Sequence, residues 1–458
     1  MAIATVNPAT GRVECTYTSH SASEVENRLA LAEHATHLLR EAGFALRSKW
    51  MHAAADILES EIGSTASILT REMGKPTTQA NAEVLKCVKA MRFYADNAES
   101  FLSDSEIENP SDVGATNAGT RFEPLGIILA VMPWNYPLWQ VIRFAAPALM
   151  AGNVGLLKHA SNVPQAALYL DTLFERGGFP AGAFQTLLVE ARQVESIVRD
   201  PRIAAVTLTG SEPAGRSVAE IAGAELKKTV LELGGSDPFV VMPSADLESA
   251  ASTGVAARVN NAGQSCIAAK RFIVHSDVYD DFVRLFIKKT ESLRVGDPTD
   301  ERTDVGPIAT ESGRRELVEL VHDAVSSGAT LSVGGEALDG DGWFFTPAVL
   351  ENVTSEMRLY REEAFGPVAT IFKVSSPQEA VAVANDTPFG LSSAVWTNNS
   401  TESDYFISAL QAGAVFINGM TVSYPELPFG GIKNSGIGRE LAAEGIREFC
   451  NLKTVWRR

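Results

Sequence analysis

Short apolar runs alternate with amphipathic segments between Gly126 and Gly235, and this alternation constrains the fold more than any other feature of the sequence. The apolar runs with the length of strands lie at 127–132, 154–158, 184–189, 203–208 and 229–233. Helical patterns separate them near 138–150, 164–175, 194–199 and 213–222. A β-α-β order of this kind predicts a parallel sheet with right-handed crossovers and helices on both faces.

The rest of the chain adds a helical region, a turn-rich segment and a second βα region. Residues 21–101 carry apolar side chains at three- and four-residue steps and predict amphipathic helices, whereas the turn formers of 107–120 predict a loop or an excursion from the core. From about 246 to 430 the βα pattern returns. Its first helix is predicted at 247–262 and its next strand at 271–275, and the tail, 439–456, predicts a helix and then a strand at 452–456. Since 458 residues exceed the roughly 250–300 at which single cores stop growing, we expect an α/β protein with more than one domain.

The charge balance and the apolar stretches exclude several kinds of partner. The chain has 39 basic and 56 acidic residues, a net charge of −17, which repels polyanions and disfavours nucleic acid as a partner. The longest apolar stretches, 125–134 and 145–157, are too short to cross a bilayer, so no membrane partner is expected. The first residues lack the basic and apolar segments of a secretory signal, so we expect a cytoplasmic protein.

The cysteine and histidine positions predict neither a disulfide framework nor a metal site. Cys15, Cys87, Cys266 and Cys450 are far apart in sequence and form no C-x-x-C pair. The H-x-x-H at residues 34–37 has no third ligand at a familiar spacing, which favours a solvated helix face.

Polar and small residues gather where the predicted strands end. Ligands of such sheets bind outside the carboxyl ends of the strands. The segments at these ends are Pro133-Trp134-Asn135, Lys158-His159-Ala160-Ser161, Glu190, Thr209-Gly210-Ser211 and Glu232-Leu233-Gly234-Gly235. A sheet without a ligand site needs only turn residues at these places, so the polar residues found there predict a nucleotide-binding site.

Neither standard phosphate-binding fingerprint is complete. No G-x-G-x-x-G follows the first strand, and in the run 210–217 Arg216 stands where a P-loop has lysine, which disfavours an NTPase. Gly210-Ser211 before a helix N-terminus still offers free N–H groups to a pyrophosphate. A plain βα turn is the alternative.

Two reactive side chains stand out on residue chemistry alone. Cys266 follows the small-residue run Gly263-Gln264-Ser265, where a thiol can be reached by a substrate, although a lone cysteine is more often an inert buried residue. Glu232 ends an apolar strand, and desolvation there would raise its pKa and suit a general base. A salt-bridged strand end is the alternative for Glu232.

Five motifs in order, spanning nearly the whole chain, resemble those of the aldehyde dehydrogenase superfamily. They are Pro133-Trp134-Asn135, Glu232-Leu233-Gly234-Gly235, Gly263-Gln264-Ser265-Cys266, Glu362-Glu363-Ala364-Phe365-Gly366-Pro367 and Pro428-Phe429-Gly430-Gly431-Ile432-Lys433-Asn434-Ser435-Gly436. Among members, the chain is most similar to bacterial succinate-semialdehyde dehydrogenases that prefer NADP.

The resemblance implies oxidation of an aldehyde to its acid through a thiohemiacetal and a thioester on Cys266. Asn135 and the Cys266 backbone N–H would stabilise the alkoxide, and Glu232 would activate the water that releases the acid. Members that pass the acyl group to coenzyme A lack this glutamate, so Glu232 favours a free acid product.

The resemblance also implies a cofactor site, with NADP preferred and NAD a weaker alternative. NAD-specific relatives carry a glutamate where this chain has Ser161, beside Lys158 at the end of the second strand. The predicted cofactor contacts are Trp134, Asn135, Lys158, His159, Ala160, Ser161, Gly210, Ser211, Leu233, Glu363 and Phe365. A surface acid and a core aromatic are the alternatives for Glu363 and Phe365.

Succinate semialdehyde is the substrate that the resemblance implies. Arg143 lies a little over two helical turns beyond Asn135 and suits a second carboxylate, while Ser423 and Tyr424 occupy the loop that lends a hydroxyl. Many relatives have an arginine where this chain has Asn260, which weakens this interpretation. An Arg143 paired to a local acid, other aliphatic or aromatic aldehydes, and a thiol esterase that uses Cys266 stay open as alternatives.

The resemblance further implies a three-part organisation and self-association. The parts are a Rossmann-like cofactor-binding domain (1–106 plus 124–235), a catalytic domain (236–430) and a small β oligomerisation element (107–123 plus 431–458). We therefore expect a homodimer or homotetramer that acts on a small-molecule aldehyde.

Overall fold

The computed structural model describes residues 2–458, which begin with a β-hairpin and four helices. The elements are β1 (Ile3–Asn7), β2 (Arg12–Tyr17), α1 (Ala22–Glu41), α2 (Phe44–Ser60), α3 (Ile62–Met73) and α4 (Thr77–Phe101). Gly74 ends α3 with φ 74°, and a Cβ at this position would lie 2.6 Å from Pro307 Cγ. The helices confirm the periodicity prediction. The hairpin was not predicted: β2 is short and largely exposed, although Val13, Cys15 and Tyr17 alternate with polar residues in it.

The alternating region contributes five parallel strands to a six-stranded sheet, whose sixth strand comes from the tail. After β3 (Ser105–Glu106) and β4 (Asn117–Pro124), its elements are β5 (Ile127–Met132), α5 (Trp139–Ala151), β6 (Val154–His159), α6 (Pro164–Arg176), β7 (Phe184–Thr186), α7 (Val194–Val198), β8 (Ile203–Thr209), α8 (Glu212–Ala224) and β9 (Lys228–Glu232). Strands β5 to β9 are parallel, as predicted, in the order β9-β8-β5-β6-β7. The chain first builds outward from β5 through β6 and β7 and then returns to β8. The switch point between β5 and β8 is where such sheets bind ligands.

The second βα region forms a seven-stranded sheet. Its elements are β10 (Asp237–Val241), α9 (Leu247–Val259), β11 (Ala269–His275), α10 (Tyr279–Glu291), α11 (Glu311–Ser326), β12 (Thr330–Val333), β13 (Ala348–Glu351), α12 (Arg358–Arg361), β14 (Val368–Val374), α13 (Pro377–Asn385), β15 (Ser393–Trp396), α14 (Ser400–Ala409) and β16 (Val415–Ile417). The order is β12-β13-β14-β11-β10-β15-β16, with only β12 antiparallel to its neighbour. The predicted helix over 247–262 ends earlier, at Val259, because Asn261 and Ala262 adopt φ values of 58° and 52°.

The tail contributes β17 (Gly436–Ile437), α15 (Ala442–Glu448) and β18 (Cys450–Arg457). Strand β18 pairs with β4 along its whole length, which joins the tail to the turn-rich excursion. The segment 431–458 was predicted to belong to a separate oligomerisation element, but one part of it lies with the six-stranded sheet. Strand β17 pairs with β9, and Leu441, Ile446 and Phe449 are buried in the core of the six-stranded sheet. These apolar side chains explain why α15 stays with that core.

Helix α5 is the most deeply buried helix near the switch point. Every residue from Trp139 to Ala151 is buried, because α5 packs against both β6 and α4. Polar side chains on this helix therefore face protein or a cavity, not solvent. Within residues 2–458, no helix combines the length and the apolar character needed to cross a membrane.

Candidate active site

Cys266 lines a cavity of about 250 Å³ between α4, α5 and the segment that follows β16. The side chains around it that matter for the chemistry are Lys86, Tyr136, Trp139, Arg143 and Ser423. The thiol therefore shares one space with a buried arginine, a lysine and a hydroxyl.

The loop that carries Cys266 is held by an unusual backbone and by one ammonium group. A Cβ on Gly263, whose φ is 71°, would lie 2.5 Å from the Gly366 carbonyl carbon, so the loop can approach that segment only with glycine there. Lys270 Nζ donates to the carbonyl oxygens of Ser265 at 2.9 Å and Cys266 at 3.0 Å. Burial raises the pKa of the Cys266 thiol to about 12, so the free protein holds it protonated at neutral pH.

Asn135 lies against the Cys266 loop. Its Nδ2 donates to the Gln264 carbonyl oxygen at 3.1 Å, and Asn261 Nδ2 donates to the Asn135 carbonyl oxygen at 2.8 Å. An amide group has two N–H donors, so one remains for an oxyanion. Asn135 Oδ1 has no hydrogen-bond partner in the described part of the chain.

Glu232 ends β9 inside the protein, where its side chain is 1% exposed. Neither carboxylate oxygen has a hydrogen-bond partner among residues 2–458. Burial, and then the Glu440 carboxylate, raise the pKa of Glu232 well above its ordinary value. A Cβ on Gly430 would lie 2.8 Å from Glu232 Oε1, so glycine leaves room for the carboxylate. Glu232 does not line the Cys266 cavity.

Arg143 faces the cavity and is paired to a local acid, so both interpretations of this residue have a structural counterpart. Its guanidinium forms an ion pair with Glu440 and lies 4.6 Å from the centre of the Phe429 ring. Arg143 Nη2 also donates to Thr209 Oγ1 at 3.4 Å. The arginine is therefore fixed in place before any substrate enters.

The two predicted hydroxyl residues have different positions. Ser423 is buried and lines the Cys266 cavity. Tyr424 is 41% exposed and lines a neighbouring cavity of about 430 Å³ instead. Ser423 borders this neighbouring cavity as well, but of the two residues only Ser423 lines the space beside the thiol.

A third cavity, of about 150 Å³, brings together three residues predicted to hold the cofactor. Trp134, Glu363 and Phe365 line it, and the Trp134 and Phe365 rings meet edge to face at 5.7 Å. Glu363 Oε1 accepts from the Gly235 N–H at 3.2 Å and from Lys270 Nζ at 3.1 Å. The Glu363 carboxylate thus links the end of β9 to the Cys266 loop.

The end of β6 offers a cleft whose walls include His159, Ala160 and Ser161. Lys158 is buried beside them, which lowers the pKa of its ammonium. The His159 ring accepts from the Ala160 N–H at Nδ1 and pairs through Nε2 with the Pro137 carbonyl oxygen, and burial lowers the pKa of His159 to about 4. Both ring nitrogens are therefore occupied, so a cofactor contact by His159 would have to come from its backbone.

The N-terminus of α8 has the geometry of a phosphate site. Ser211 is the N-cap residue and makes no side-chain cap bond, so the N–H groups of Glu212 and Ala214 stay open to a ligand, whereas Pro213 between them has no N–H. The Gly210 N–H donates to the Glu232 carbonyl oxygen at 2.9 Å, so, contrary to the sequence prediction, this N–H is not free for a pyrophosphate. A Cβ on Gly215 would lie 2.5 Å from Leu233 Cδ2. Glycine thus allows α8 to pack closely against the end of β9. Together with the two clefts, this edge of the sheet fits a dinucleotide.

Three residues of the site were missed by sequence reasoning: Lys86, Lys270 and Glu440. A signal existed for Lys86, because it lies one turn after Glu83, a charged residue on the buried face of α4. Glu440 follows shortly after the glycine-rich motif ending at Gly436. For Lys270 we find no local signal.

The profile of the aldehyde dehydrogenase family matches residues 1–455. The chain is 60% identical over 456 residues to an NADP(+)-dependent succinate-semialdehyde dehydrogenase of Mycobacterium tuberculosis, and 100% of each chain is covered. It is 58% identical over 456 residues to the enzyme of the same name from Mycobacterium leprae, again with 100% of each chain covered.

The fold agrees with that of solved structures. A succinic semialdehyde dehydrogenase from Streptococcus pyogenes, solved in complex with NADP+, superposes with a TM-score of 0.96 at 37% identity, and 99% of each chain is covered. Because 99% of this chain is covered, the superposition includes both large sheets and the tail.

Proposed function

The chain belongs to the aldehyde dehydrogenase family, and from this premise we propose that it oxidises succinate semialdehyde to succinate with NADP. The observation that carries the proposal is the single cavity in which the Cys266 thiol, the buried Arg143 and the Ser423 hydroxyl lie together. This cavity can hold an aldehyde at one end and a carboxylate at the other.

The proposed reaction begins at sulfur. Cys266 gives its proton to solvent and the thiolate attacks the aldehyde carbon, which forms a C–S bond, breaks the C=O π bond and places a negative charge on the former carbonyl oxygen. The free N–H of Asn135 Nδ2 is positioned near the loop to donate to this oxygen, and such a donor is typically worth about 3 kcal/mol in the transition state. NADP, when bound, supplies the hydride acceptor that turns this adduct into a thioester.

Glu232 is proposed as the base of the second half-reaction. It takes a proton from water, and the resulting hydroxide attacks the acyl carbon. The C–S bond then breaks to release the acid, and the leaving thiolate takes up the proton that Glu232 received, which returns both the thiol and the carboxylate. Because Glu232 has a raised pKa, it holds its proton more strongly than an exposed carboxylate and is a stronger base once ionised. Its position outside the wall of the Cys266 cavity means that water or the side chain has to bridge the remaining gap.

NADP is the proposed cofactor, held at the carboxyl edge of the six-stranded sheet. The proposed contacts to the adenosine part are Lys158, the 159–160 backbone and Ser161, and those to the pyrophosphate are Gly210 and Ser211. Those to the nicotinamide half are Trp134, Leu233, Glu363 and Phe365. Ser161 supports the phosphorylated cofactor, because this position offers a 2′-phosphate a hydroxyl and a neighbouring lysine instead of a repelling carboxylate.

A panel of aldehydes, assayed with NADP and with NAD, tests the proposal. We expect the highest kcat/KM for succinate semialdehyde with NADP, clearly above that for uncharged aliphatic and aromatic aldehydes. Equal values for charged and uncharged aldehydes would remove the substrate assignment. Ester hydrolysis by Cys266 without any reduction of NADP would favour the thiol esterase instead.

We also propose that the protein forms a homodimer or homotetramer in the cytoplasm. Strand β18 is an edge of its three-stranded sheet and exposes Leu452 and Trp456, at 57% and 49%. An exposed edge of this length is a surface on which another chain can pair. Light scattering of the wild type and of Leu452→Glu tests the assembly, since a charged side chain on this edge should shift the mass toward the monomer. Cell fractionation tests the location.

A further inference from the structure

Lys86 is the one cavity-lining cation for which residues 2–458 provide no carboxylate within ion-pair distance. Lys75 pairs with Glu83, and Arg143 pairs with Glu440, so each of these charges is already compensated inside the protein. The Lys86 side chain projects from α4 over the Trp139 ring, with Nζ 4.1 Å from the ring centre. The cavity therefore carries one excess positive charge, located at Lys86.

The hydroxyl of Ser423 connects this charge to the space beside the thiol. Ser423 Oγ accepts from Lys86 Nζ at 2.7 Å and from Trp139 Nε1 at 3.1 Å. An ammonium and an indole N–H can only donate, so both lone pairs of Oγ are used and the hydroxyl hydrogen is left to donate to something else. Among the described residues no acceptor takes it.

We propose that Lys86, with the Ser423 hydroxyl, binds the distal carboxylate of the aldehyde substrate and sets the preference for a carboxylated aldehyde. The proposal rests on the proposed oxidation of succinate semialdehyde and names the residue that supplies the uncompensated charge. Arg143, whose charge is compensated by Glu440, shares the cavity, and Lys86 adds the charge that has no carboxylate partner. Lys86 and Asn260 both line the cavity, and of the two only Lys86 can carry a positive charge.

The groups that face Lys86 allow it to be charged at neutral pH. Burial, then the nearby Arg143 and the Lys75 ammonium, lower the pKa of Lys86, whereas Cys87 and Glu83 raise it, and the net result is a pKa of about 8. A bound carboxylate adds a negative partner and stabilises the protonated form.

Three variants test the proposal: Lys86→Met, which keeps the aliphatic stem, Lys86→Arg, which keeps the charge, and Lys288→Met as a control at an exposed lysine on α10. Each is assayed with succinate semialdehyde and with butanal, which has the same number of carbons and no carboxylate. We expect Lys86→Met to raise KM for succinate semialdehyde by about 10- to 100-fold, the range for a lost hydrogen bond to a charged group. Its kcat/KM for butanal should stay within about threefold of wild type.

The pH dependence of the wild type gives a second test that needs no variant. The ratio of kcat/KM for succinate semialdehyde to that for butanal cancels the ionisations of Cys266 and Glu232, which both substrates share. We expect this ratio to fall above about pH 8 in the wild type and in Lys288→Met, and to stay level in Lys86→Arg.

The outcomes separate the two proposals. A wild type with no preference for the carboxylated aldehyde overturns the proposed substrate and the role of Lys86 with it. A wild type with that preference, kept undiminished in Lys86→Met or level across pH 8, overturns the role of Lys86 alone. An equal loss on both aldehydes in Lys86→Met would show a structural residue and likewise contradict the proposal.

Discussion

The Arg143 guanidinium forms an ion pair with the Glu440 carboxylate, and the two side chains are only 2% and 4% exposed. Glu440 also lies near Glu232, whose pKa it raises. One buried arginine thus stands between the Cys266 cavity and a pair of buried carboxyl groups. This arrangement explains how an arginine can line the cavity without adding a net charge to it.

Removing one partner of this pair should be far more harmful than removing both. Glu440→Gln leaves a buried guanidinium that cannot lose its proton, so we expect a loss of about 3–5 kcal/mol in the free energy of unfolding. Adding Arg143→Met should recover most of that loss. Urea unfolding of both single variants and the double variant, at fixed protein concentration, measures the coupling. Additive losses would show that the two side chains do not depend on each other.

The reactivity of Cys266 should rise steadily with pH. Because burial raises the pKa of the thiol to about 12, its thiolate fraction increases about tenfold per pH unit up to that value. The rate of alkylation by iodoacetamide should therefore increase from pH 7 to pH 10 without a plateau. The alkylation rate of the Cys266→Ser variant measures the reaction at the other three cysteines, and it is subtracted from the wild-type rate. A plateau near pH 7 would mean that the free protein already holds a thiolate.

The choice of cofactor should depend on position 161. In Ser161→Glu a carboxylate would repel a 2′-phosphate and accept a hydrogen bond from a 2′-hydroxyl. We expect the ratio of kcat/KM with NADP to that with NAD to fall by about 100-fold, a change of about 2.7 kcal/mol. Ser161→Ala serves as the control, because it removes the hydroxyl without adding charge. An unchanged ratio in Ser161→Glu would place the discrimination elsewhere in the cleft.

The stability contributed by Glu72 should decrease as the pH rises. Glu72 accepts hydrogen bonds from Thr5 Oγ1 at 2.6 Å and from the backbone N–H groups of Gln165 and Ala166 at 2.8 and 3.0 Å. Burial nevertheless raises the pKa of Glu72 from 4.5 to about 7, so between these values the folded protein holds a proton that the unfolded chain has lost. That stabilisation is fully present below pH 4.5 and is lost as the pH rises through 7.

Comparison with Glu72→Gln isolates this contribution. From pH 4.5 to pH 8, the free energy of unfolding of the wild type should fall by about 3 kcal/mol relative to that of the variant. Urea unfolding at several pH values, with the protein concentration held constant, measures the difference. A difference that grows with pH would mean that the three hydrogen bonds outweigh burial and depress the pKa.

Much of the six-stranded sheet could be predicted because its signals are local. The strand Ile127–Met132 has the predicted bounds, and three of the other parallel strands differ from theirs by one residue at one or both ends. The strand predicted over 184–189 is shorter and ends at Thr186. The period of the apolar side chains differs between strand and helix, so each element is readable without its neighbours. The early end of α9 was not predicted, since it depends on left-handed backbone at Asn261 and Ala262 that packing in the Cys266 loop maintains.

The alternation of strands and helices from β5 to β9 and the motifs at the strand ends were determined by the sequence alone, because each depends on residues close together in the chain. Only the tertiary structure decided which cations of the cavity have a carboxylate partner among residues 2–458. Lys86 and Ser423 are 337 positions apart, and Arg143 finds its carboxylate in the tail. No local pattern reveals whether a buried cation has a distant partner, since pairing depends on where the folded backbone places both side chains. The excess charge at Lys86 therefore became visible only in the fold.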